Sequence, residues 1–272
     1  PDEVTYGMGL SILGVVPNVK QVGNLTDEAS AQAAEAFREI RMNLVYAHGA
    51  AGPVMLTVTS PGSGDGKSFL TSNLALAFSD QGYRTLIIDA DVRRGVLHRT
   101  MGCERVPGLT DYLAGHASLN DVLRPTQYPN VSLIPAGTRM KDGPELLGTE
   151  RMAKLLLEMK TRFRAILVDS PPLGAGVDAF GLGTLTRNLL LVLRTGTTDR
   201  ALTTAKLGMV DRLPIRLLGA VLNGTPADST AYRYYSYLPG YTVEPEEEAA
   251  AAEAEVEETR QLEDGKVSEA GV

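Results

Sequence analysis

Apolar residues in this chain gather into short unbroken runs instead of alternating with polar ones. Seven runs have the length of a strand: SILGVV (11–16), PVMLTVT (53–59), TLIIDA (85–90), VSLIPA (131–136), AILVDS (165–170), LLLVLR (189–194) and LLGAVLN (217–223). Successive side chains of a strand point to opposite sides, so an unbroken apolar run predicts a strand covered on both faces. The segments between the runs carry helical spacing: EASAQAAEAFREIRMNLVYAH (28–48), KSFLTSNLALAFSDQG (67–82), ERMAKLLLEMKTRF (150–163) and DRALTTAKLGMVDRL (199–213). In the second, Leu70, Leu74 and Phe78 share one side and Gly82 supplies a stop. Strand alternating with helix predicts an α/β fold, a doubly wound and mostly parallel sheet. No internal repeat is visible.

Composition refines this picture. The 272 residues are 43% apolar, enough for a sizeable core, but lack Trp, so aliphatic side chains do most of the packing. One cysteine, Cys103, rules out an internal disulfide and suits a reducing compartment. Neither it nor His48, His98 and His116 has the spacing of a zinc site. No apolar run approaches the ~20 residues of a membrane helix. The chain opens on Pro1, not Met, which leaves room for an upstream segment. The net charge of −7 is unevenly placed: residues 244–272 hold eleven acidic and two basic residues, leaving 1–243 at +2. The Ala/Glu-rich tail has little to bury and is expected to be a solvated extension. The nearly neutral body has no broad basic face for nucleic acid.

The first chemical signal is TSPGSGDGKS (59–68), between the strand PVMLTVT and the helix KSFLTSNLALAF. Gly62, Gly64 and Gly66 let the backbone curl around an anion, with Ser63 and Asp65 between them. The amides of Gly64 to Lys67 can face inward at the positive end of the helix that Lys67, Ser68 and Phe69 begin. Lys67 is placed to reach β- and γ-phosphates and the Ser68 hydroxyl to ligate Mg²⁺. The strict pattern wants Gly where this chain has Pro61. The expected ligand is a nucleoside triphosphate, ATP.

Two further strand ends carry acids. LIIDADVRR places Asp89 and Asp91 one residue apart, and AILVDSPP ends on Asp169. Ligands of open α/β sheets sit outside the carboxyl ends of the strands, so these acids are candidates for holding Mg²⁺ (Asp89 and Asp169, with Ser68) and for accepting a proton. Asn223 ends LLGAVLN, where an Asn before Gly reads most simply as a turn residue.

TSPGSGDGKS, LIIDADVRR and ILVDSPP resemble the Walker A, A′ and B motifs of the bacterial tyrosine kinases, P-loop autokinases associated with capsule and exopolysaccharide export. GVVP, EAFREIRMNL, LHRTMG, GLTDYLAG, LIPAG, PELLGTERM and LGAVLN resemble family segments in family order, so the likeness runs from residue 12 to about 241. The wider MinD/ParA group of ATPases shares several motifs, but usually carries a signature lysine early in the loop, where this chain has Gly62. A MinD/ParA-like switch, using ATP to toggle assembly without kinase activity, is the alternative. The resemblance implies catalytic roles for Lys67, Asp89, Asp91 and Asp169. Asp89 would be the group accepting or orienting the tyrosine proton and Asp91 an aid to metal or orientation, and these two labels can be exchanged. It also implies that the Asn223 amide reads the adenine edge. Asp178, in GAGVDAFGLG, matches a family Asp; it is expected either to cap the helix that follows or to help shape the site, with the cap preferred.

Tyr232, Tyr234, Tyr235, Tyr237 and Tyr241 are half of the chain's ten tyrosines within ten residues. Such a cluster can be a packing patch or a contact surface, but the flanking sequence has no periodicity, and the resemblance makes these five the phosphoacceptors, modified in trans. Glu35, Arg38 and Arg41 recur every three residues. Alone they read as an intrahelical pair with a solvated Arg; by resemblance they form the subunit contact of a ring-like homo-oligomer. The resemblance further implies a membrane-embedded polysaccharide co-polymerase as activator, fused or separate, a tyrosine phosphatase as partner, and a cytoplasmic location at the inner face of the plasma membrane. The expected division is an N-terminal strand and linker (1–27), the P-loop domain (28–225), the tyrosine cluster (226–243) and the acidic tail (244–272).

Overall fold

Each apolar run becomes a strand of one eight-stranded sheet in the computed structural model, which describes residues 2–18, 27–49 and 51–226. The strands are β1 (Ile12–Pro17), β2 (Val54–Thr59), β3 (Thr85–Asp89), β4 (Arg124–Pro125), β5 (Val131–Ile134), β6 (Ala165–Asp169), β7 (Asn188–Arg194) and β8 (Arg216–Thr225). Their order across the sheet is β1-β8-β7-β2-β6-β3-β5-β4. All neighbours run parallel except β4, a two-residue edge strand antiparallel to β5. The helices are α1 (Asp2–Met8), α2 (Asp27–His48), α3 (Lys67–Ser79), α4 (Leu97–Thr100), α5 (Leu109–Leu113), α6 (Leu119–Val122), α7 (Gly143–Leu146), α8 (Glu150–Arg162), α9 (Asp178–Thr186) and α10 (Arg200–Val210).

Both faces of the sheet are covered. On one, Phe37, Ile40 and Leu44 of α2 and Leu70, Leu74 and Phe78 of α3 pack on Leu56, Ile87, Leu167 and Leu190. On the other, Met152, Leu155 and Met159 of α8 meet Leu86, Ile88, Ile166 and Val168. Beside them, Phe180 of α9 and Leu207 and Val210 of α10 meet Leu189, Leu191 and Leu222. Residues 86 to 88 and 166 to 168 thus send neighbouring side chains to opposite cores, which is why their sequence is apolar without a break. Burying each such side chain is worth roughly 1.5–3 kcal/mol, and this anchors the strand ends whose loops carry the polar residues. The tyrosine cluster and the acidic tail lie outside the described residues. Among the described residues no helix is long and apolar enough to cross a membrane.

Candidate active site

The anion loop connects the centre of the sheet to the start of α3. Gly64 and Gly66 adopt φ of 88° and 95°, the left-handed region that glycine enters without steric cost. Gly66 has a second reason to lack a side chain: a Cβ there would lie 2.0 Å from Asn223 Nδ2. The loop is held from outside by residues of β7, β8 and the turn after β7. Asp65 is buried; its Oδ2 accepts from the Gly62 amide at 3.1 Å and its Oδ1 from the Thr198 hydroxyl at 2.8 Å. Asn223 Nδ2 donates to the Asp65 carbonyl at 2.8 Å, and an Arg194 guanidinium N–H donates to the Gly64 carbonyl at 3.0 Å. The first bond of α3 runs from the Leu70 amide to the Gly66 carbonyl. The amides of Gly66, Lys67, Ser68 and Phe69 therefore precede any intrahelical partner and form the positive end of α3. The Phe69 ring packs edge-on against Phe37, centroids 5.9 Å apart, so Phe69 offers the loop its backbone only.

Two expectations need correction. Asn223 is not a turn residue: it lies within β8, opposite Arg194 of β7, where its amide nitrogen buttresses the loop. Among the described residues Asp178 makes no capping bond. It is the first residue of α9 and faces the site, with a carboxylate oxygen 3.8 Å from Arg93. Burial raises its pKa and Asp91 adds to the rise, against the pull of Arg93.

Asp89 and Asp169 are register partners at the ends of the adjacent parallel strands β3 and β6, and both are fully buried. Asp169 accepts from the Ser68 hydroxyl at 2.6 Å and from the Thr71 hydroxyl at 3.2 Å. Burial lifts its pKa to about 6, although Lys67, Ser68 and Thr71 pull it down. Asp89 accepts from the Leu97 amide at 3.2 Å through one oxygen. Its other oxygen is buried without a partner among the described residues. Burial first, then the Asp169 charge, push the Asp89 pKa well above the usual carboxylate range. Asp91, nearly buried, accepts from the Arg94 amide at 3.0 Å. Lys67 is also nearly buried, and its charge is felt at Asp169. Loop, lysine and all three acids therefore meet at one edge of the sheet.

Several groups here carry no signal in the sequence. Gly95 is one: a Cβ on it would sit 2.6 Å from both Asp89 oxygens and 2.7 Å from Ala136 Cβ. Arg105 is another. Its guanidinium donates to the carbonyls of Gly137 (2.9 Å), Gly95 (2.6 Å) and Val92 (3.2 Å), stitching the turn after β3 to the loop after β5. Glu35 and Arg38 form the intrahelical pair, at 2.8 Å, and Arg41 donates weakly to the Ala77 carbonyl at 3.4 Å.

Residues 56–232 match the CobQ/CobB/MinD/ParA nucleotide binding domain. The tyrosine-protein kinase CpsD of Streptococcus agalactiae is 31% identical over 202 residues, spanning 74% of this chain and 87% of CpsD. The chain belongs to the bacterial tyrosine kinase family. Tyrosine-protein kinase wzc of Salmonella typhi is 34% identical over 216 residues, 79% of this chain. The match covers only 30% of wzc, so the chain spans about a third of that relative. The solved structure of the kinase domain of Escherichia coli tyrosine kinase ETK superposes with a TM-score of 0.76 at 27% identity, covering 87% of this chain and 97% of that domain. The family thus joins a nucleotide-binding P-loop fold to relatives named as tyrosine kinases.

Proposed function

We propose that this chain is an ATP- and Mg²⁺-dependent protein-tyrosine autokinase that phosphorylates Tyr232, Tyr234, Tyr235, Tyr237 and Tyr241 of a neighbouring copy. The observation that carries the reading is the buried Asp89–Asp169 pair beside Lys67 and Ser68. A pure nucleotide switch requires a cradle and a metal site. A kinase also needs a group to take the phenolic proton, whose ordinary pKa is near ~10. Asp89, its proton affinity raised by burial and by Asp169, is suited to that task, and Asp91 is the second candidate. Lys67 and the loop amides would grip and neutralise the phosphates.

The residues fit a magnesium ion. The orphaned Asp89 oxygen and the crowded carboxylates favour a cation between them. Among the described residues no group of three His, Cys, Asp or Glu could hold a metal ion unaided. Magnesium, however, usually keeps several waters and shares phosphate oxygens, so Ser68, Asp169 and Asp89 suffice as its protein side. When bound, it would neutralise charge on the transferring phosphoryl group.

The names of the relatives favour this reading over the MinD/ParA-like switch. By the same likeness, Glu35, Arg38 and Arg41 join copies in a ring, a membrane-embedded co-polymerase activates the chain, a tyrosine phosphatase resets it, and its setting is surface polysaccharide assembly at the inner face of the plasma membrane. The tyrosine cluster (226–243) and acidic tail (244–272) are then its substrate segments. Replacing all five cluster tyrosines with Phe is expected to abolish most phosphotyrosine formed from ATP. Undiminished labelling elsewhere in the chain would refute the assignment.

A further inference from the structure

We propose that a basic cleft beside Asp89 docks the acidic stretch Glu244–Glu248 of a neighbouring copy, which follows that copy's tyrosine cluster, and so selects acceptor tyrosines flanked by carboxylates. The proposal deepens the kinase reading and takes from it the meaning of the cleft's position. Along the carboxyl edge of the sheet the order is β2, β6, β3, β5. The phosphate loop follows β2, Asp169 ends β6, and Asp89 ends β3. The cleft comes next, lined by residues that follow β3 and β5, and Gly95 separates it from the Asp89 carboxylate. Gly95, His98, Arg99, Arg105, Gly137 and Arg139 line it, and its volume is about 400 Å³.

The cleft is charged and poorly compensated. Arg99, Arg105 and Arg139 all depress the His98 pKa, after burial, so the four groups share one space. Glu104 opposes them at His98, and the Asp89 and Asp91 charges favour the charged form of Arg105. Among the described residues none of the three arginines lies in an ion pair. Three of the five Arg105 N–H donors bond backbone carbonyls, and Arg99 and Arg139, both exposed, are the more open to a ligand. A guanidinium matches a carboxylate in a two-pronged bond.

The chain's own sequence supplies the complement. TVEPEEE, directly after Tyr241, brings Glu244, Glu246, Glu247 and Glu248 within seven residues of an acceptor.

The test uses the full chain carrying E244Q, E246Q, E247Q and E248Q, so that its own tail does not compete. A fluorescein-labelled peptide of residues 239–250 (PGYTVEPEEEAA) is titrated and followed by anisotropy. Arg99→Glu with Arg139→Glu is expected to weaken binding by about tenfold or more, with an unchanged melting curve. A peptide with Lys at the four glutamates should bind the charge-reversed chain and not the parent. Equal binding by both chains would overturn the proposal. So would tighter binding of a peptide bearing phosphotyrosine at 241 and Gln at the four glutamates, which would make the cleft a phosphate site. In parallel, phosphorylation of a full-length Lys67→Met acceptor tests the kinase reading: its complete absence with every acceptor sinks that reading, while the titration still decides what the cleft binds.

Discussion

Replacing Asp169 with Asn is expected to stabilise the nucleotide-free protein while destroying its chemistry. The buried carboxyl of Asp169 has its pKa lifted from 3.8 to about 6. At 1.36 kcal/mol per tenfold change in proton affinity, holding that group ionised at pH 8 costs the folded state about 3 kcal/mol. The sign follows from where protons are bound. Between pH 4 and 6 the folded chain holds a proton that the unfolded chain has lost, so stability falls as pH rises through that window. Asp89, raised for the same reason and by Asp169 itself, pushes in the same direction. An Asn at 169 has no charge to bury, and the Ser68 and Thr71 hydroxyls, which can donate or accept, can still bond it. In urea unfolding without divalent ions, Asp169→Asn should exceed the parent by up to about 3 kcal/mol at pH 8, and the gap should close near pH 4. ATP with Mg²⁺ should stabilise the parent far more than the variant, and tyrosine phosphorylation should drop about 100-fold or more. A gap that does not change with pH, or a parent that gains stability from pH 4 to 6, would refute the reasoning.

Two other perturbations probe the cradle and the assembly. Gly66→Ala imposes a side chain at φ 95°, 2.0 Å from Asn223 Nδ2; it should cost about 1–2 kcal/mol in strain and abolish binding of a fluorescent ATP analogue, and unimpaired binding would show that the loop geometry is not required. If the proposed ring forms, Arg38→Ala with Arg41→Ala should convert it to monomers in light scattering, because the Glu35 pair and the long Ala77 contact hold these side chains only loosely within the subunit; unchanged assembly would refute the proposed contact.

Much of this architecture was legible because burial leaves a simple mark. Residues 54–59, 85–89 and 165–169 are apolar throughout because both faces of their strands are covered. The cradle was legible too, since Gly, Lys and Ser at fixed spacing have few other uses. Elements too short for periodicity were not: β4 has two residues, and α4, α6 and α7 four each. The nine residues of α9 are mostly small or apolar, DAFGLGTLT, and hide among loops. Support from distant strands was also invisible. Nothing local to Asn223, Thr198 or Arg194 says that they hold the phosphate loop, and nothing local to Arg105 says that it ties three carbonyls around Asp89. Those relations exist only once β7, β8 and β5 are placed in the sheet.

The central claim is that the buried acids beside the phosphate cradle serve phosphoryl transfer from ATP to tyrosine. The direct measurement is incubation of the full chain with ATP and Mg²⁺, then mass spectrometry of its C-terminal peptides, with Lys67→Met as control. The account predicts phosphate on tyrosines between 232 and 241 in the parent and none in Lys67→Met. ATP consumed by the parent while every tail tyrosine stays unmodified would contradict it.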